Sequence, residues 1–145
     1  MTLKEKISAL EQLKYLRDEV EMLSQRIAEL EQAAAGGTAR ITGMPRGTAR
    51  WDRTGDFAAK IVEVSEKLEA RRLRCMELLG WIYDFIDGVE DSRMRQILTY
   101  RYIDAESWQS IAFRIGEVDE QVPRRWHNKF LENAKFDEND ERKVL

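Results

Sequence analysis

The 145-residue chain has one cysteine, one histidine and two prolines. A single cysteine, Cys75, excludes an internal disulfide and offers no thiolate cluster for zinc. Cys75 and the one histidine, His127, fall in different expected elements, with no third group to orient them as a nucleophile pair. Neither an enzyme, a cofactor nor a metal site is therefore expected. No apolar run approaches the roughly 18 residues that a membrane span needs. The first residues, "MTLKEKISALEQ", are charged throughout instead of carrying the apolar core of a signal peptide. The expectation is a soluble, cytoplasmic protein without a membrane partner. Scarce proline and 35% charged residues suit long solvated helices better than a β protein.

Charge and glycine are unevenly spread. The net charge of −3 divides into −2 over 1–35, +2 over 36–56, −3 over 57–92, +2 over 93–136 and −2 over 137–145. A local basic face matters more for nucleic-acid binding than the total. Between the ends, two stripes stand out. Leu13, Leu16, Val20, Leu23, Ile27 and Leu30 alternate steps of three and four, a heptad seam. Leu3, Ile7 and Leu10 form a similar stripe, offset by a three-residue stammer. Together they predict a helix from about Leu3 to Ala35. The second stripe runs Phe57, Ile61, Val64, Leu68, Arg71, Cys75, Leu78, Ile82, Phe85 and Val89, interrupted only by Arg71. It predicts a helix from about Thr54 or Asp56 to Asp87, stopped by Gly88. Two helices of similar length, about 50 Å at 1.5 Å per residue, suggest an antiparallel hairpin. A hairpin alone buries one seam, so a homodimer is expected.

Five of the eight glycines fall between the two stripes, in "GGTARITGMPRGTARWDRTGD". This predicts a loop over 36–55, long for a structureless connection. Arg46, Arg50, Trp51 and Arg53 in it could contact phosphate or a partner protein; the plainer reading is a charged linker.

Beyond Gly88, Asp91 or Ser92 caps an amphipathic helix of about 10 residues ending near Ile103. Ser107 caps the next, whose buried face is Trp108, Ile111, Ala112 and Ile115, and Gly116 ends it. A small residue mid-helix, a glycine at the turn and an apolar residue six positions on (Ala112, Gly116, Val122) meet the steric needs of a helix-turn-helix. The second helix is expected to bury Val122, Trp126 and Phe130. Its polar faces offer Gln121, Arg124, Arg125, Asn128 and Lys129 to double-stranded DNA, joined by Ser107 and Gln109. Arginine and lysine neutralise phosphates, and arginine, glutamine and asparagine also reach base edges. Pro123 tests where this helix begins, because proline is tolerated only in a first turn. Asp119 as cap, in a turn one residue longer than usual, is preferred to Val118.

The stretch "DSRMRQILTYRYIDAESWQSIAFRIG" resembles region four of bacterial sigma factors, with the R-x-x-L-x-x-R-Y pattern at Arg95, Leu98, Arg101 and Tyr102. From about Ile41 to Phe130 the chain is similar to small phage proteins of the ArpU and RinA type, which are sigma-like regulators of late or lysis genes. The resemblance implies a DNA-binding transcription regulator in a bacterial host cell that also touches RNA polymerase. The sequence departs from that pattern at Glu117 and Val118, where an apolar residue and a capping serine are usual.

The expected architecture is all-α: a long antiparallel coiled-coil hairpin over 1–90, a sigma-region-four-like helix-turn-helix over 91–136, and a flexible acidic tail over 137–145. The leading reading is a dimeric phage or prophage regulator. The alternatives are a DNA-packaging protein like a small terminase subunit, whose helix-turn-helix usually comes first, and a protein-interaction module that binds RNA polymerase without reading DNA sequence.

Overall fold

A computed structural model of the chain describes residues 1–39 and 49–137, and the side chains of 1–35 and 55–137. The described residues are helical, with no strand among them. α1 spans Leu3–Ala39, α2 Ala49–Asp87, α3 Ser92–Leu98, α4 Trp108–Arg114 and α5 Gln121–Asn133; a π-helical turn, Thr99–Ile103, follows α3 directly. Two compact units result, one formed by 1–16 with 74–145 and the other by 17–73. Compactness thus groups the chain otherwise than the sequence division at residue 90.

Both long helices exceed their expected bounds. α1 continues through Gly36 and Gly37, and α2 begins at Ala49. Glycine in a helix costs about 1 kcal/mol relative to alanine, which is a penalty and not a stop. Helix replaces the expected loop at 36–39 and 49–55, and 40–48 lie outside the described residues. Arg46 and the 138–145 tail lie outside the described residues, and so do the side chains of Arg50, Trp51 and Arg53.

α1 starts with a capping box. Thr2 Oγ1 accepts from the Glu5 backbone N–H at 3.3 Å, and a Glu5 carboxylate oxygen accepts from the Thr2 N–H at 2.6 Å. These hydrogen bonds hold the Glu5 carboxyl below its ordinary range. α2 stops where Gly88 follows Asp87, and Arg95 clasps the exit by donating to the carbonyls of Val89 at 2.6 Å and Glu90 at 2.9 Å.

Within 17–73 the heptad positions Val64 and Leu68 are buried, and Val20, Leu23, Ile27 and Leu30 are half-buried. Arg71, the break in the α2 stripe, donates from Nε to Glu19 of α1 at 2.7 Å. Both side chains are nearly half exposed, so the pair contributes at most about 1 kcal/mol. Its effect is directional: a charge at a seam position favours the register that supplies its partner.

The unit of 1–16 with 74–145 holds the larger core. Leu10 and Leu13 of α1 join Leu78, Ile82 and Ile86 of α2, with Ile97 and Leu98 of α3, Ile111 of α4 and Leu131 of α5. Each such side chain stabilises by about 1.5–3 kcal/mol on burial. α5 packs on both α3 and α4. Its far end is tied to α1 by Lys6, only 7% exposed, whose ammonium donates to the carbonyls of Leu131 at 2.8 Å and Ala134 at 2.6 Å, with Glu132 at 3.5 Å. The last carbonyls of a helix lack intrahelical partners and carry the negative end of its dipole. A buried ammonium satisfies them and is itself satisfied. Beside it Phe136 packs edge-on against Trp81 and Phe85, at 5.7 and 5.2 Å between ring centroids.

Lys6→Met keeps the aliphatic stem and removes the donors. We expect it to destabilise the folded chain by about 1–3 kcal/mol, seen as a lower urea midpoint at unchanged slope.

Candidate nucleic-acid interface

The segment leading to α4 is locally unusual. Asp91 Oδ1 accepts from the Arg93 N–H at 3.1 Å and starts α3. The expected single helix to Ile103 changes register on the way. Thr99 Oγ1 donates back to the Arg95 carbonyl at 2.7 Å, and the Asp104 N–H reaches the Thr99 carbonyl, five residues back, at 3.0 Å. Two residues beyond the wider π turn comes Ala105, whose φ of 54° is left-handed and costs a non-glycine residue about 1 kcal/mol. The turn is braced from both sides. Arg101 donates to the Glu106 carbonyl at 3.0 Å, lies 3.7 Å from Glu11 and stacks 4.8 Å from the Trp108 ring. Arg114 pairs with Glu106 at 2.7 Å.

Ser107 caps α4, its Oγ accepting from the Ser110 N–H at 3.2 Å. Ile111 and Ala112 are buried, and Trp108 and Ile115 are half-buried. The chain then turns through Gly116 at φ +80°, a conformation that glycine adopts without strain. Asp119 Oδ1 accepts from the Gln121 N–H at 2.9 Å. The cap position of α5 is Glu120, one residue later than the expected Asp119; with the first helical residue at Gln121, Pro123 stands third, where no intrahelical N–H is needed.

α5 is rotated by one position from the expected phase. Pro123, His127 and Leu131 are buried, whereas Val122, Trp126 and Phe130 are half-buried. The reason is that the imidazole of His127 is fully partnered inside. Its Nδ1 donates to Asn128 Oδ1 at 2.9 Å, which leaves Nε2 to accept from the Tyr102 hydroxyl at 2.5 Å. Trp108 meets the imidazole edge-on at 4.8 Å. Burial pushes the His127 pKa down to about 4, aided by the charges of Arg101 and Arg124 against the opposing Asn128 bond. Burial likewise pushes the Tyr102 phenol well above its ordinary range.

This inward stripe turns Gln121, Arg125 and Lys129 to the opposite, exposed side at four-residue steps. Arg124 and half-buried Asn128 lie on one flank, and Trp126 and Asn133 on the other. Of the residues proposed for DNA, Gln109, Gln121, Arg124, Arg125 and Lys129 are exposed. Ser107 is exposed but occupied as a cap, and Asn128 has its carbonyl oxygen committed to His127. Arg124 and Lys129 make no hydrogen bond or ion pair through their side chains among the described residues, and Arg125 reaches only the Gln121 carbonyl at 3.3 Å. The α2 cations with described side chains differ: Lys60 and Lys67 pair with Glu63, Arg72 with Glu69 and Arg74 with Glu77.

The sequence reading missed two features here. Arg93 of α3 stacks 3.9 Å from the Trp126 ring and lines a groove with Lys129, Phe130 and Asn133; one positive residue and one tryptophan far apart in sequence gave no signal. Phe113 is 86% exposed and Val118 fully so, beside Glu117, Asp119 and Glu120. Among the described residues no group of histidine, cysteine or acidic side chains could hold a metal, and no helix is long and apolar enough to cross a membrane.

No protein-family model, curated protein sequence or solved structure matches the chain.

A depressed histidine pKa favours the neutral form when folded, so its stabilisation is complete above about pH 6.5 and is lost as pH falls towards about 4. His127→Gln should flatten the fall in stability across that window. The one imidazole of the chain gives an unambiguous NMR titration, expected well below the free-histidine midpoint.

Proposed function

We propose that the chain is a DNA-binding transcription regulator of the phage type, with 91–136 acting as a sigma-like helix-turn-helix and the long helices as a coiled-coil hairpin that dimerises. The observation that carries this reading is the outward face of α5. Arg124, Arg125 and Lys129 are exposed without carboxylate partners on a helix fixed at both ends. Unneutralised cations repel one another and contribute little to the fold, whereas duplex DNA supplies the charge they lack. Packing supports the same reading: Ala112 is 2% exposed where α4 meets α5, and Gly116 takes the left-handed turn between them. The dimer is supported by the half-burial of Val20, Leu23, Ile27 and Leu30 within 17–73, where Met22 and Val62 are also exposed at 69% and 57%.

A second reading is favoured by one specific observation. Phe113 and Val118 are the most exposed large apolar side chains among the described residues, and they border the acidic turn Glu117, Asp119, Glu120. Apolar knobs among carboxylates suit a basic protein surface better than phosphates, so contact with a protein such as RNA polymerase, without DNA reading, is the alternative.

Arg124→Ala with Arg125→Ala should weaken binding to duplex DNA and reduce the log–log salt slope by about 0.9 for each phosphate no longer neutralised, measured by fluorescence anisotropy across salt. Unchanged affinity would remove α5 as the DNA-reading helix. Light scattering should return twice the chain mass of 17.0 kDa; a ring of many subunits would point to packaging instead.

A further inference from the structure

We infer that Arg93, stacked on Trp126, is a backbone-phosphate contact that extends the nucleic-acid face from α5 onto α3. This rests on the reading of α5 as a DNA-contacting helix. Three observations lead to it. First, the Arg93 guanidinium lies 3.9 Å from the Trp126 ring centroid and makes no hydrogen bond or ion pair among the described residues. A guanidinium held over a ring by cation–π attraction keeps its N–H donors for another partner, and their fork matches phosphate oxygens. The stack also restricts the side chain before binding, which lowers the ordering cost of the contact. Second, Arg93 and Lys129 line one open groove with Trp126, Phe130 and Asn133. Two unpaired cations over an aromatic floor suit an anion at the rim. Third, the position is complementary to Arg124. Lys129 lies opposite the buried stripe of α5, Arg124 lies on one flank of that helix, and Trp126 beneath Arg93 lies on the other. A helix in a major groove runs between two phosphate backbones, and cations on both flanks meet both strands.

The acidic turn strengthens the case for this end of α5. Glu117, Asp119 and Glu120 precede the helix, and Lys129 is the α5 cation farthest along it from those carboxylates. The ligand is duplex nucleic acid recognised by its backbone, so the contribution is independent of base sequence.

The test uses the full-length chain and two 20-base-pair duplexes of unrelated sequence, with affinity followed from about 0.05 to about 1 M salt. Arg93→Met retains an unbranched apolar stem over Trp126 and removes the charge; Arg93→Lys restores a charge. For Arg93→Met we expect a salt slope shallower by about 0.9 and affinity about five-fold weaker at 0.15 M salt relative to 1 M, equally on both duplexes. Arg93→Lys should recover the slope. A merely structural Arg93 would lower affinity with the slope intact, and that result overturns the proposal. So does an Arg93→Met slope equal to the wild type while the Arg124 and Arg125 variants no longer bind, an outcome that leaves the α5 reading standing. Wild-type protein that binds neither duplex at low salt overturns both.

Discussion

The Lys6 ammonium joins the first turn of the chain to the last helix. It lies almost fully buried against carbonyls at the C-terminal end of α5, more than a hundred residues away in sequence. A buried charge is tolerated only when its donors are occupied, and a helix end is tolerated inside only when its carbonyls are. Each solves the other's problem. The consequence reaches the opposite end of α5, because Asp119 and Pro123 define where the helix starts while Lys6 defines where it stops. The outward residues between these points are therefore presented by a supported rod.

Much of this arrangement was legible in sequence because its causes are local. Asp91 and Ser107 are capping residues and Asp119 closes the turn before α5, each side chain accepting one backbone N–H two or three residues on, and Gly116 takes the one conformation that asks for glycine. Val64, Leu68, Leu78 and Ile82 follow a spacing that fixes the buried side of α2. The π turn at Thr99–Ile103 was not legible, since it is a change of hydrogen-bond register without a compositional mark. The phase of α5 differs from expectation because apolar residues are assigned to the core by default and an imidazole is not. Partners at Tyr102 and Asn128 reverse that assignment.

The candidate site was legible as a set of residue types but not as a set of vacancies. A string of letters does not distinguish arginines that are committed from those that are free. Arg95 closes the α2 exit, Arg101 and Arg114 brace the π turn, and Arg71 holds a heptad register. Each is absorbed by the fold. Arg93, Arg124 and Lys129 make no ion pair among the described residues; nor do Lys4, Lys14, Arg26 and Lys135, but the first three gather around one helix. That division between structural and uncommitted charge emerges only when partners are known, which is why Arg93 was invisible in the sequence.

The withdrawal of His127 into the core also limits how this surface can be controlled. Histidine is the side chain whose ordinary titration lies nearest neutrality, and the chain places its one imidazole where the neutral form persists to about pH 4. The charge on α5 is then carried by the guanidinium and ammonium groups of Arg124, Arg125 and Lys129 and not by that imidazole. On the proposed reading, this face responds to competing counterions, with no part played by the imidazole, a gauge of salt and not of protons.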